Sequence, residues 1–178
     1  ELARALAASK PHPLSTTADG TFGTSYPNGC HIAEVEIEPE TGRAAITRYT
    51  AVDDLGRVIN PVLVEGQVHG GVVQGAGQAF GEHAIYDPET GQMLTASFMD
   101  YVMPRAGWIR DMAVHDHPVL TPTNALGAKG VGESGCSGSL PALANATVDA
   151  LRPLGITSLD MPFTPARVWA AINRARGR

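Results

Sequence analysis

The sequence predicts an α+β fold, in which mixed sheets pack against helices. A pair of strand-like segments lies between residues 35 and 52, a glycine-rich helical segment begins at Pro61, and two more helical segments follow residue 139. These strands and helices are interspersed but do not alternate regularly. Regular βα alternation would instead indicate a parallel α/β sheet.

Length and composition limit the possible functions. The 178 residues suit one ordinary domain or one lobe of a larger one, and the net charge of −5 argues against nucleic acid as the main partner. No apolar run approaches the roughly 18 residues that would span a bilayer. Cys30 and Cys136 have neither metal-ligand spacing nor a disulfide framework, which is typical of a reducing compartment. We therefore predict a cytoplasmic protein with a small-molecule substrate.

The first residues are predicted to connect the chain to something upstream. Leu2 to Ser9 resembles a short helix, and Pro11 to Asn28 is rich in Ser, Thr, Gly and Pro, as surface connections are. We therefore assign residues 1–28 to a linker and the remnant of an upstream lobe, and residues 29–178 to the folded lobe.

A β-hairpin is predicted next. Apolar and charged residues alternate from Val35 to Glu38, Pro39 to Gly42 forms a turn, and Ala45 to Val52 is a second strand. Asp53-Asp54 follows the second strand and is interpreted as an ordinary turn.

Asn60-Pro61 is a strong helix start, with an amide side chain at the N-cap and proline at the first helical position. The helix is predicted to extend to about His83. Its many glycines are tolerable only where another backbone or a ligand packs against it. Gln67, near the helix start, is better placed to meet a ligand than Gln74 and Gln78, for which a place at the rim of a packing interface is equally plausible.

Shorter elements complete the fold. We predict a helix from Leu140 to about Leu151 with Ser139 as its cap, and a last helix capped by Thr164-Pro165. Short strands are predicted at Ile85–Tyr86, Met93–Leu94, Ser97–Met103, Met112–His115 and Ile156–Leu159.

The segment from Gly127 to Gly138 is the strongest candidate for chemistry. It contains five glycines and a single acid, Glu133, and is too glycine-dense for a helix or a central strand. We predict an irregular loop whose glycines adopt positive φ angles or let a partner approach the backbone closely. Glu133 would have few side-chain neighbours there to neutralise it.

Other motifs leave alternatives open. Gly130-Val-Gly132-Glu-Ser-Gly135 fits G-x-G-x-x-G, with Asp160 near the place of a ribose-binding acid, so a nucleotide-binding module is one alternative. That fingerprint requires a hydrophobic strand before Gly130, which residues 122–129 do not provide. Two interpretations stay open for His115 and His117, as metal ligands or as histidines at the rim of the fold. Two also stay open for Cys136, as a nucleophile or as a small loop thiol.

Several motifs together resemble the C-terminal part of the molybdopterin-binding large subunit of the xanthine dehydrogenase/aldehyde oxidase/carbon monoxide dehydrogenase family. Their order and spacing agree with the family from about Phe22 onward. They are Val58-Ile-Asn-Pro61, Glu65-Gly-Gln-Val-His-Gly-Gly-Val-Val-Gln-Gly-Ala-Gly-Gln78, Ser97-Phe-Met-Asp-Tyr101, Gly127-Ala-Lys-Gly-Val-Gly-Glu133, Leu140-Pro-Ala-Leu-Ala-Asn-Ala-Thr-Val-Asp-Ala-Leu151 and Asp160-Met-Pro-Phe-Thr-Pro165.

The resemblance implies a molybdenum hydroxylase that oxidises an aldehyde, an N-heterocycle or carbon monoxide with oxygen from water. Glu133 would be the general base toward a hydroxide on molybdenum, a role that suits a carboxylate in a water-poor loop. Gln67 would lie beside the molybdenum centre, and Lys129, Gly130, Val131 and Gly132 would pack against the pterin. No protein ligand to the metal is implied.

The resemblance also implies partners. The cofactor is expected to be molybdopterin in its cytosine dinucleotide form, with 2Fe-2S clusters and FAD on partner subunits. The remaining part of the molybdenum subunit is a further expected partner. We expect this chain to be inactive alone, and a non-catalytic assembly lobe, with Glu133 pointing away from any cavity, is the second alternative.

Overall fold

The computed structural model describes residues 1–7, 15–21 and 23–177. The predicted helix end at residues 8–9, the first part of the connection and Phe22 lie outside these residues. The elements in chain order are α1 (Leu2–Ala5), β1 (Asn28–Glu38), β2 (Arg43–Asp54), α2 (Pro61–Phe80), β3 (Met112–Asp116), α3 (Ser134–Leu151), a 3₁₀ turn (Arg152–Leu154) and α4 (Pro165–Ala175). The α+β prediction is confirmed.

The sheet has three strands in the order β1-β2-β3. The predicted hairpin is confirmed, since β1 and β2 pair antiparallel, and Gly42 closes the turn between them with a φ of +73°. β3 joins the other edge of β2 in parallel, with Tyr49 opposite Met112 and Asp53 opposite Asp116. The carboxyl end of β2 therefore lies inside the fold, between the ends of β1 and β3.

The core forms where helices cover one face of this sheet. Tyr49 and Ala51 of β2 are fully buried, as are Val68 and Val72 of α2 and Leu143 of α3. α2 packs on α3, and α3 in turn packs on β1. The helix start predicted at Asn60 is confirmed, because the Asn60 side chain accepts a hydrogen bond from the Leu63 N–H at 3.2 Å.

Glycines allow α2 and α3 to approach closely. A Cβ on Gly71 would lie 2.8 Å from the Cys136 nitrogen, and a Cβ on Gly135 would lie 2.5 Å from the Val68 carbonyl oxygen. These residues have no side chain because the two backbones occupy the space. Gln74 and Gln78 are exposed, whereas Gly66 and Gly70 face no other atom of the described chain within 4 Å.

The prediction that residues 127–138 form an irregular loop is wrong for its second half. α3 begins at Ser134, so Gly135, Cys136 and Gly138 are helical. The packing of Gly135 against α2 offsets the intrinsic cost of glycine in a helix. Ser139 is not the cap, because it is buried inside α3 and donates to the Cys136 carbonyl oxygen at 3.1 Å.

Two of the five short predicted strands are also wrong, and two others are reduced to a single bridge. An isolated antiparallel bridge joins Tyr86 and Met93, while 97–103 and 156–159, all of them described residues, form no strand. Local hydrogen bonds explain the first of these two segments, because Ser97 donates to Asp100 and its carbonyl accepts from the Tyr101 N–H. Such bonds compete with strand pairing. The strand predicted from Met112 is confirmed as β3.

In the described part of the chain, no helix combines the length and apolarity needed to cross a membrane.

Candidate functional site

The glycine loop, residues 127–133, lies beside the carboxyl end of β2. The Lys129 N–H donates to the Leu55 carbonyl oxygen at 2.9 Å, and Ala128 forms an isolated bridge with Gly56. The loop then turns directly into α3. This arrangement places Glu133 at the N-terminal end of that helix.

A cavity of about 700 Å³ opens between the loop, the start of α3 and the ends of β1 and β2. The loop contributes Gly130, Gly132 and Glu133 to its lining, and the sheet contributes Gly29, His31 and Asp53. Residues that the sequence predicted to be functional and residues that it did not therefore line the same cavity.

Gly130 and Gly132 differ from the packing glycines of the helices. Neither has a positive φ, and a Cβ on either would meet no atom of the described chain within 4 Å. The expected positive φ occurs in this loop at Gly127, where φ is +69°. The backbone at 130 and 132 therefore faces the cavity without a side chain. Neither the φ angle nor packing within the described chain requires glycine at these two positions.

Glu133 lines the cavity and is exposed to solvent. The neighbouring glycines have no side chains that could shield the carboxylate, so the water-poor environment expected from the resemblance does not come from this chain and stays a prediction for the assembled subunit. Glu133 makes no side-chain cap to α3. Its carboxylate is available to a group in the cavity.

Gln67 contacts the loop directly. Its Nε2 donates to the Gly132 carbonyl oxygen at 2.8 Å, although the two residues lie 65 positions apart. This bond joins the second turn of α2 to the residue before Glu133. The contact of Gln67 with the loop was not predicted from the sequence, and its predicted contact with a cofactor stays a prediction.

Lys129 points away from the cavity toward Asp54. The two side chains form an ion pair and are only 9% and 13% exposed. The hydrogen bond from Lys129, followed by the Val119 N–H, lowers the pKa of Asp54 to about 2. Any contact of Lys129 with a cofactor would therefore involve its backbone. Val131 packs against the core.

The interpretation of Asp53 and Asp54 as an ordinary turn is wrong. Both end β2, and Asp53 is 3% exposed. One Asp53 oxygen lies 3.1 Å from His31 Nε2, and His31 Nδ1 lies 2.7 Å from the Tyr49 hydroxyl. The position of two acids at the end of a buried strand was the available signal, but their partners are distant in sequence.

Hydrogen bonds link the side chains of Tyr49, His31 and Asp53, and their proton positions can be assigned. Burial, and secondly the Asp53 charge, raise the pKa of Tyr49, so its hydroxyl stays protonated. We assign the His31 tautomer that directs Nε2–H at the Asp53 oxygen, which leaves Nδ1 to accept from the Tyr49 hydroxyl. His31 Nε2–H then donates to Asp53 Oδ1. The other Asp53 oxygen, Oδ2, is buried and has no hydrogen-bond partner among the described residues. Asp53 also lines the cavity that Glu133 lines.

Tyr49→Phe is expected to flatten the alkaline limb of the stability curve. A tyrosine pKa that is raised in the folded state contributes stability that is complete below the ordinary value, about 10, and is lost as pH rises through the folded value. At neutral pH the variant should lose about 1–2 kcal/mol, because His31 Nδ1 loses its partner. Denaturant unfolding between pH 7 and 11 measures both effects.

Tyr26→Phe is the control, because Tyr26 is 71% exposed. If Tyr49→Phe lost as much stability at alkaline pH as the unaltered chain does, the raised pKa of Tyr49 would be contradicted.

The other candidate motifs do not assemble into sites. Residues 122–129, which the structure describes in full, form no strand leading into Gly130, so the context required for a G-x-G-x-x-G dinucleotide site is missing. His117 follows β3 and its N–H donates to the Asp53 carbonyl oxygen. Among the residues that the structure describes, no group of three or more His, Cys, Asp or Glu side chains could hold a metal ion. Cys136 and Cys30 are free thiols.

Comparisons with known proteins agree on one family. Residues 3–110, more than half of the chain, match the molybdopterin cofactor-binding domain. The carbon monoxide dehydrogenase large chain of Hydrogenophaga pseudoflava is 40% identical over 84% of this chain and 18% of its own length. The nicotine 6-hydroxylase large subunit of Paenarthrobacter nicotinovorans is 38% identical over 88% of this chain and 19% of its own.

Solved structures support the same conclusion. Reconstituted carbon monoxide dehydrogenase from Oligotropha carboxidovorans superimposes with a TM-score of 0.79 at 37% identity, over 85% of this chain and 18% of the solved chain. The chain thus spans about a fifth of the length of the relatives that it matches. It belongs to the molybdopterin cofactor-binding family that includes the large subunits of carbon monoxide dehydrogenase and of related molybdenum hydroxylases.

Proposed function

We propose that this chain is the C-terminal lobe of the large subunit of a molybdenum hydroxylase, and that it holds molybdopterin against Glu133. The observation that carries the proposal is the bare backbone at Gly130 and Gly132. These glycines line the cavity, adopt ordinary φ values and face no atom of the described chain within 4 Å. A ligand that approaches the backbone closely accounts for the missing side chains.

The residues present fit such a cofactor. A side chain at 130 or 132 would project into the cavity that the cofactor would occupy, and the nearby Gln67 amide already orients the Gly132 peptide. We therefore assign Gln67, Lys129, Gly130, Val131 and Gly132 to cofactor binding, with Lys129 acting through its backbone. When bound, the molybdenum cofactor supplies an oxygen nucleophile and accepts two electrons from the substrate.

Glu133 is proposed to take the proton from that nucleophile. Glu133 lines the cavity, belongs to a loop held from two sides, and makes no side-chain cap to α3. A positioned carboxylate contributes about 10²–10⁴-fold as a general base. The alternative of a non-catalytic assembly lobe predicts that Glu133 points away from any cavity, so its place in the lining favours catalysis.

The finer features of the complete enzyme are also proposals. By analogy with the relatives, the substrate is carbon monoxide, an N-heterocycle or an aldehyde. The pterin is proposed in its cytosine dinucleotide form, and electrons would leave through 2Fe-2S and FAD partner subunits in the cytoplasm. The chain alone would be inactive, because it corresponds to only 18% of the length of a relative.

The test is to load the assembled large subunit with cofactor and measure its molybdenum and pterin content. Gly132→Leu is expected to lose at least about 90% of both, since the new side chain would occupy the space next to the backbone that the cofactor is proposed to approach. Gly107→Leu is the control, because Gly107 also faces open space but lies outside this cavity.

Full cofactor content in Gly132→Leu would overturn the proposal. Reduction of the loaded enzyme by carbon monoxide, an aldehyde or an N-heterocycle, followed by absorbance, then assigns the substrate class.

A further inference from the structure

Asp54 is the last residue of β2, and its two carboxylate oxygens have separate partners. Oδ1 accepts hydrogen bonds from the Gly56 N–H at 3.0 Å and the Val119 N–H at 2.8 Å. Oδ2 accepts from Lys129 Nζ. One carboxylate thus joins the end of β2, the segment after β3 and the glycine loop.

The ion pair between Asp54 and Lys129 is largely buried, with 13% and 9% of the respective side chains exposed. Removing two charges from water is costly, and apolar residues of similar volume often stabilise a fold as well or better. A lysine directed inward from a glycine loop is therefore poorly explained by stability alone. What the pair supplies is a defined position for the loop.

The glycine loop is attached to the rest of the fold at two points before Glu133, Lys129 and Gly132. At one end, Lys129 binds Asp54 through its side chain and Leu55 through its N–H. At the other end, Gln67 donates to the Gly132 carbonyl oxygen. Gly130 and Gly132 have no side chains that could restrict the backbone between these two anchors, so its course depends on the anchors and on the packing of Val131 against the core.

We propose that Asp54, acting through Lys129, is a positioning residue that holds the glycine loop so that Glu133 faces the cavity. This inference rests on the proposed function, because Glu133 is the group being positioned. Asp54 itself does not line the cavity and touches no reacting group.

Two substitutions sever the pair with little other change. Asp54→Asn keeps Oδ1 for the Gly56 and Val119 N–H groups and replaces the oxygen that faces Lys129. Lys129→Met keeps most of the apolar stem and removes the ammonium group. Asp111→Asn is the control, because it removes the exposed ion pair with Arg48, in which the Arg48 and Asp111 side chains are 55% and 59% exposed.

The first measurement is hydrogen exchange of the chain, which involves no cofactor. Both variants and the double variant should accelerate exchange of the hydrogen-bonded loop amides, those of Gly127, Ala128 and Lys129, about tenfold and leave the β1–β2 amides unchanged. The double variant should resemble the single ones, since all three lack the same contact. The Asp111→Asn control should exchange as the unaltered chain does.

The second measurement is turnover by the assembled, cofactor-loaded enzyme. Asp54→Asn and Lys129→Met should lower kcat per bound molybdenum about tenfold with KM unchanged, because a displaced base affects the chemical step. Lys129→Arg, which keeps the charge, should recover most of the loss.

Unchanged exchange in the loop overturns the inference, as does a mobile loop with normal kcat. Faster exchange at all amides would also overturn it, because the pair would then be a general stabilising contact. Failure of the proposed function has a different signature. Normal turnover in Glu133→Gln would remove the base assignment, whereas the exchange experiment would still report whether Asp54 holds the loop.

Discussion

Glu133→Gln is expected to slow substrate oxidation by the assembled molybdenum subunit by about 10²–10⁴-fold. The substitution preserves the size of the side chain and removes its ability to accept a proton. Because Glu133 is exposed and makes no side-chain cap to α3, folding should be unaffected. Single-turnover reduction by carbon monoxide, an aldehyde and an N-heterocycle measures the loss.

Two controls make this result specific. Glu89→Gln removes an exposed carboxylate from a turn outside the cavity and should leave the rate unchanged. Molybdenum and pterin content must be equal in all variants, so that a lower rate is not a lower occupancy. Equal rates in Glu133→Gln and the unaltered enzyme would show that the glycine loop only holds the cofactor.

Gly71→Val is expected to destabilise the fold strongly. The new Cβ would lie 2.8 Å from the Cys136 nitrogen and 3.0 Å from the Gly135 Cα. Both are backbone atoms, so no flexible side chain can move aside and α2 must separate from α3. We expect a loss of about 3 kcal/mol in the free energy of unfolding, and a melting temperature lower by about 6–12 °C.

Gly70→Val is the matched control, one residue away on the same helix. A Cβ there would meet no atom of the described chain within 4 Å, and Gly70 is exposed. Its stability should change by no more than about 0.5 kcal/mol, since valine and glycine differ little in helix propensity. Similar melting temperatures for the two variants would contradict the close packing of α2 on α3.

The helix starts show which structural features were predictable. Asn60-Pro61 and Thr164-Pro165 each begin a helix in the structure, and each cap accepts a hydrogen bond from the N–H three residues later. The β1–β2 hairpin followed from the alternation of Val35 to Glu38, the Pro39–Gly42 turn and the strand-like segment after it. These signals act over a few residues, so local sequence carries them.

The start of α3 was not predictable in the same way. Its first turns contain Gly135, Cys136 and Gly138, a composition that disfavours a helix in isolation. The helix forms because Gly135 meets the backbone of α2 and Gly138 lies against the His31 ring. Packing against distant segments overrode the local helix propensity. A short window of the sequence contains no information about that packing.

The candidate site also has a part that local sequence predicts and a part that depends on distant contacts. The sequence by itself determined the α+β class, the hairpin, the principal helices and, through its motifs, the family and the glycine loop that carries Glu133. Only the tertiary structure decided which side chains meet at that loop. Lys129 and Asp54 are 75 residues apart, Gln67 and Gly132 are 65 apart, and His31 reaches Asp53 across two strands. Such pairs depend on the relative placement of whole elements, which the burial of a shared core determines and local patterns do not encode.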